Sequence, residues 1–241
     1  MDDRMDPTSY TERRSKIEDY FDRTAVQAWA RLTSDAPVGR IRATVRAGRD
    51  RMRATLLGWL PADMTGMRLL DAGCGTGALA VEAARRGAQV LAIDLSPTLV
   101  DLARDRQPVE LTSEHSVGRI DFRSGDMLDA ALGEFDFVVG MDSLIHYQTQ
   151  DAVRVICGLA QRTRKGLLFT YAPSNPALVL FRAVGRMLPR SDRAPWIEPV
   201  AGTRLHRLLD TDATLQDWQR GRTERIASGF YTSQALELLR K

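Results

Sequence analysis

The chain has 241 residues, 44% hydrophobic and 27% charged, with a formal net charge of +3. This composition suits a folded α/β core with an extension, and excludes a disordered chain or one that grips nucleic acid through bulk charge. Two cysteines exclude a disulfide scaffold, and no apolar run reaches the roughly 20 residues that a membrane span needs.

The charged start, Met1 to Lys16, has no hydrophobic signal core, so a cytoplasmic protein is expected. Residues 16–33 have helical spacing, with Ile17, Tyr20, Phe21, Ala25, Ala28, Trp29 and Leu32 recurring on one face. Such a helix either packs on a core or covers a site with the Tyr20 hydroxyl turned toward a substrate. A second helix is predicted from Arg40 to Leu60, closed by Pro61. Arg42, Arg46, Arg49 and Arg53 recur beside its apolar stripe, as a solvated face or as a grip for acidic groups.

Strand and helix then alternate. Strands are predicted at 67–72, 89–94, 119–124, 135–141 and 165–171, and helices at 77–86, 97–106, 149–162 and 203–218. Repeated βα units predict a mostly parallel sheet with helices on both faces and ligands at the carboxyl ends of the strands. Residues 173–202 break the pattern with half of the ten prolines, around an apolar segment carrying Arg182 and Arg186. This insertion is expected beside the site, either as a surface loop with one core helix or as a substrate-covering lid or membrane-contacting helix. The ending, Phe230 to Leu239, is ambiguous by pattern alone. The predicted organisation is an N-terminal helical arm over 1–61 and a catalytic domain over 62–241.

The chemistry concentrates in Leu69-Leu70-Asp71-Ala72-Gly73-Cys74-Gly75-Thr76-Gly77-Ala78. A buried strand ends in an acid and turns through glycines into a helix, whose N-terminus offers N–H groups and positive dipole. Gly73-x-Gly75-x-x-Ala78 with Asp94 also fits a dinucleotide fingerprint, so NAD is one reading. Asp71 favours the other: it would repel a pyrophosphate but welcome an ammonium group. Asp126, after the third strand, adds another acid on the same sheet edge. The set resembles class I S-adenosylmethionine (SAM) dependent methyltransferases. That resemblance implies a seven-stranded Rossmann-like sheet ending in an antiparallel hairpin, which makes the C-terminal segment a strand. It also implies a cofactor site of Asp71, Gly73, Gly75, Gly77, Asp94, Leu95, Asp126, Met127 and Met141. Asp94 would accept both ribose hydroxyls, and Asp126 or the Met127 backbone would meet the adenine amine.

Four further segments are more specific: Tyr20-Phe21-Asp22-Arg23-Thr24-Ala25, Ile41-Arg42-Ala43-Thr44-Val45-Arg46-Ala47-Gly48-Arg49, Asp142-Ser143-Leu144-Ile145-His146-Tyr147 and Phe230-Tyr231-Thr232-Ser233. With the glycine loop they resemble the magnesium protoporphyrin IX O-methyltransferase family from about residue 17 to the C-terminus. The resemblance implies methyl transfer from SAM to the 13-propionate of magnesium protoporphyrin IX, on the way to chlorophyll or bacteriochlorophyll, with S-adenosylhomocysteine (SAH) as by-product. It implies no metal site of the protein's own. His146 and Tyr20 become the catalytic candidates, either orienting the propionate or ligating the substrate's magnesium. Tyr147, Arg42, Arg46 and Arg182 are the substrate-binding candidates. Magnesium chelatase as upstream donor and peripheral contact with the photosynthetic membrane are further expectations; nucleic acid is not a partner. Another small-molecule O- or N-methyltransferase, or a porphyrin carrier on the same fold, are the alternatives.

Overall fold

The computed structural model describes residues 14, 15, 17, 39–113, 115–174 and 197–241. Most of the predicted helix over 16–33, including Tyr20, and the middle of the insertion, including Arg182, lie outside the described residues.

The described chain begins with α1 (Arg40–Trp59), whose Met52 and Leu56 are fully buried one helical turn apart. Leu60 turns to extended backbone and Pro61 cannot continue the helix. The alternating units follow as β1 (Arg68–Ala72), α2 (Ala78–Arg85), β2 (Gln89–Asp94), α3 (Pro97–Asp105) and β3 (Arg119–Ser124). After them come β4 (Phe135–Gly140), α4 (Thr149–Ala160), β5 (Thr163–Tyr171) and α5 (Gly202–Thr211). A hairpin of β6 (Trp218–Ser228) and β7 (Tyr231–Arg240) completes the chain. The strand order is β3-β2-β1-β4-β5-β7-β6 in one seven-stranded sheet, parallel except for the antiparallel pairs β5–β7 and β6–β7.

Period-two alternation splits the core in two. Leu69, Val90, Val139 and Leu168 pack with Met52, Leu56 and Leu79 on one face. Leu70, Leu91, Val138 and Leu167 pack with Ile156, Leu159 and Leu205 on the other. A strand buried on both faces reads as a continuous apolar run, which is why β1 and β4 were legible in the sequence.

β1 lies between β2 and β4. The chain leaves β1 toward one half of the sheet and later returns through β4 to the other half. The carboxyl ends of these neighbouring strands therefore open side by side, the arrangement that makes a crevice for ligands.

The predicted helix over 203–218 needs correction. α5 stops at Thr211, where Asp212 turns its carboxylate onto the Thr214 N–H at 2.9 Å and starts a short 3-10 turn. Trp218 already belongs to β6. β5 also begins at Thr163, two residues earlier than expected. The predicted C-terminal strand is β7, and the insertion leaves and rejoins the fold beside itself, with Ser174 N donating to Val200 O at 2.8 Å.

Candidate active site

A cavity of about 280 Å³ opens at the carboxyl ends of β1 and β4. Its floor is the glycine loop after β1. Gly73 has φ +84° and a Cβ there would stand 2.4 Å from Ser143 Cβ, so only glycine lets the two strand-end loops close together. At Gly75, by contrast, an added Cβ would meet nothing within 4 Å; it would simply fill the cavity. Gly77 does not reach the wall; it precedes α2 with φ +78°, and its lack of a side chain admits the Phe122 ring.

Asp94 ends β2 and ties the loop down. Its Oδ2 accepts from Gly75 N at 2.8 Å and its Oδ1 from Ser96 N at 3.0 Å. Each carboxylate oxygen has a second lone pair, so both oxygens retain acceptor capacity toward the cavity they line. Burial raises its pKa.

Asp71 is buried among apolar strands, 2% exposed. Burial first, and then the charge of Asp94, push its pKa up to about 7. Its Oδ2 has no hydrogen-bond partner among the described residues, and neither does Ser143 Oγ; both residues line the cavity. A buried carboxylate oxygen left unsatisfied costs about 1–3 kcal/mol or more, and a cationic ligand would remove that cost. Cys74 sits between these acids. Burial and the charges of Asp71 and Asp94 hold its thiol well above its usual range, so it is protonated and a poor nucleophile.

The opposite wall comes from α1 and the segment after β4. Arg46, Arg49 and Arg53 line the cavity with Met141, Asp142, His146 and Tyr147. His146 ends a short 3-10 turn, Leu144–His146, and is buried; Tyr147 is buried deeper still. Ile17, from the N-terminal arm, is buried against the same space. Leu95, Gly125 and Met127 close the side next to β2 and β3.

Besides Gly77, two candidates fall outside the lining. Arg42 is exposed near the start of α1, a turn before Arg46. Asp126 spends its carboxylate on a turn, accepting from Leu128 N at 2.9 Å, and pairs with Arg14 at 2.8 Å. The neighbouring Met127 takes its place on the wall. The residues that sequence reasoning passed over are Asp142, Tyr231 and Ser233. They lay in the quoted segments, yet without the fold nothing brought them together.

The donor set suits an amino-acid nucleoside better than a dinucleotide, because the unsatisfied acid lies where a pyrophosphate would otherwise come. This predicts proton linkage. In the ligand-free protein Asp71 holds its proton up to about pH 7, against an ordinary value of 3.8, so its contribution to stability falls as pH rises from about 4 to 7 and is level above that. An ammonium group drives ionisation. SAH binding at pH 6 should therefore release about one proton, with affinity rising from pH 5 to 7. Calorimetry in buffers of different ionisation enthalpy reads this directly, and Asp71→Asn should abolish the buffer dependence.

Comparisons with known proteins agree with this geometry. Residues 140–240 match a family model described as the magnesium-protoporphyrin IX methyltransferase C-terminus, and residues 69–166 match a general methyltransferase domain. A magnesium-protoporphyrin O-methyltransferase of Rhodobacter capsulatus is 49% identical over 96% of this chain and 98% of its own. One from Synechocystis is 29% identical over 93% and 95%. A crystal structure of the magnesium protoporphyrin IX methyltransferase from Synechocystis PCC 6803 with bound SAH superposes with a TM-score of 0.80. That match has 26% identity and covers 95% of this chain and all of that one.

Proposed function

This chain belongs to the magnesium-protoporphyrin O-methyltransferase family, and on that footing we propose that it methylates a propionate of magnesium protoporphyrin IX, at the 13-position, using SAM. The product is the monomethyl ester in (bacterio)chlorophyll synthesis. The observation that carries the reading is the cavity itself: an unsatisfied buried carboxylate, Asp71, on one wall and the arginines of α1 on the other. One wall suits a cationic cofactor and the other an acidic substrate.

Bound SAM supplies an electrophilic methyl group on a sulfonium. Asp71 holds the ammonium end, Asp94 the ribose hydroxyls, and Gly125, Met127 and Leu95 the adenine side, while Met141 and Gly73 flank the methionine. The substrate propionate, with a pKa of about 4–5, is ionised at pH 7 and needs no base. The work left to the protein is alignment and water exclusion. His146 orients the propionate from the loop after β4. Tyr20, in the N-terminal arm, is proposed to help from the cover, and Tyr147 packs beneath.

The arm and the insertion form the cover, with Arg182 at its rim. Ile17 supports this for the arm, because it already reaches the cavity wall. Deleting residues 1–36 should spare SAH binding and weaken magnesium protoporphyrin IX binding, followed by tryptophan quenching. Undiminished porphyrin affinity would remove the arm from the cover.

Among the described residues no helix is long and apolar enough to cross a membrane. Peripheral contact with the photosynthetic membrane is part of the proposal. Its support is the exposed Phe230 at the hairpin tip, beside the basic start of α1, where Ser228 Oγ donates to Thr44 O at 2.9 Å. Receipt of the substrate from magnesium chelatase rests on the family resemblance alone. The reading as a whole is tested by titrating the SAH-loaded protein with magnesium protoporphyrin IX. Saturable quenching is expected, and none would overturn it.

A further inference from the structure

Three distant segments meet at one buried carboxylate. Asp142 follows β4 at the cavity wall, and it is the one non-glycine residue with positive φ, +55°, among the described residues. Such a conformation costs energy for a side-chain residue and persists only where the surroundings enforce it. Here they do. Arg49 Nη1 donates to Asp142 Oδ2 at 2.8 Å, and the Tyr231 hydroxyl reaches the two carboxylate oxygens at 3.1 and 3.2 Å. Ser233 Oγ donates to Oδ1 at 3.3 Å. Thr170 Oγ1 accepts from the Asp142 N–H at 2.7 Å and donates to Oδ1 at 3.2 Å. The Asp142 side chain is only 4% exposed, and Arg49 is 21% exposed.

The packing around this cluster sets where α1 lies. A Cβ on Gly48 would stand 2.5 Å from the Tyr231 ring, so glycine there lets the helix rest directly on the hairpin. Farther along α1, Arg222 bonds Trp59 O at 2.8 Å and lies over the Trp59 ring. The helix is thereby held at both points, and Arg49 projects into the cavity wall.

A paired arginine that only fastened a helix would have no need to face a cavity. We propose that Arg49 binds a propionate carboxylate of the porphyrin, and that Asp142, Tyr231, Ser233 and Thr170 are positioning residues for it. The inference rests on the porphyrin reading above. The guanidinium has five donors in a rigid fork, a geometry that can serve two carboxylates at once. Asp142 holds one arm of that fork through Nη1, and the hydroxyls hold Asp142. The Tyr231 phenol is held protonated by burial and by the Asp142 charge, as this donor role requires.

The test compares magnesium protoporphyrin IX with its dimethyl ester, which lacks both carboxylates, in SAH-loaded wild type and Arg49→Gln. Glutamine can still donate to Asp142, so the helix contact is kept. Loss of one charge-assisted contact should weaken the diacid by about 10- to 100-fold and leave the diester within about twofold. SAH affinity should hold within about twofold. Tyr231→Phe keeps the ring against Gly48 and should show the same selective loss, smaller in size, with kcat at saturating substrate changed less than KM. Equal losses for diacid and diester would mean a structural role only. A matching fall in SAH affinity would mean that Arg49 serves the cofactor's carboxylate. Either result overturns the proposal. If wild type binds neither porphyrin, it is the substrate reading that fails instead.

Discussion

Asp94→Ala should cost about 100-fold or more in SAH affinity, the largest loss expected of any single substitution at the cofactor wall. Two effects combine. The carboxylate is the proposed acceptor of both ribose hydroxyls, and it already holds the glycine loop through Gly75 N at 2.8 Å. Without it the loop that forms the cavity floor loses its side-chain tie to the end of β2 and keeps only the backbone bonds of Gly73 N and Cys74 N to Ile93 O, at 2.8 and 3.0 Å. Asp94→Asn separates the two effects. Its amide keeps one acceptor oxygen and should recover part of the affinity. Calorimetric SAH affinity unchanged in Asp94→Ala would refute the ribose assignment.

The second large effect is expected at His146. His146→Ala should lower kcat by about 100-fold, the scale of a misaligned reacting group, with SAH affinity nearly unchanged. The nucleophile is already a carboxylate, so the loss is one of alignment and not of proton abstraction. At saturating cofactor and substrate, the pH–rate profile of the wild type should therefore show no limb titrating near 6.5. A limb there that vanishes in His146→Ala would instead make His146 a general base. Measuring at saturation matters, because protonation of Asp71 below pH 7 weakens cofactor binding and would depress kcat/KM on the acid side by itself.

The parts of the fold that could be read in the sequence are those whose side chains are committed to a buried face. β1, β2 and β4 are nearly continuous apolar runs because helices cover both sides, and each appeared within a residue of its predicted bounds. β6 could not be read this way. It is an edge strand, and seven consecutive residues, Gln219 to Arg225, are exposed. Without a buried face there is no alternation, and a register shift between Arg220 and Thr223 breaks what regularity remains. The helix prediction ran on to Trp218 for the complementary reason. Leu205, Leu209 and Leu215 are all buried, but the last sits in the 3-10 turn beyond the Asp212 stop.

The site followed the same logic. Asp71, Gly73, Gly75 and Asp94 lie within one βαβ unit, so local spacing was enough to bring them together. The arginine ladder of α1 was visible as a periodicity, but not which rungs face the cavity. That depends on Gly48 meeting the Tyr231 ring, a contact across 183 positions of chain. It turns Arg46, Arg49 and Arg53 inward and leaves Arg42 outside. Asp126 stands outside the cavity lining for a local reason: the turn after β3 directs its carboxylate onto Leu128 N.

The most direct measurement is methyl transfer itself. The purified protein is incubated with magnesium protoporphyrin IX and SAM labelled in the methyl group, and the porphyrins are separated by chromatography. One labelled product is expected, the monomethyl ester, formed in step with SAH. Label absent from the porphyrin, in a preparation shown by calorimetry to bind SAH, would contradict the account.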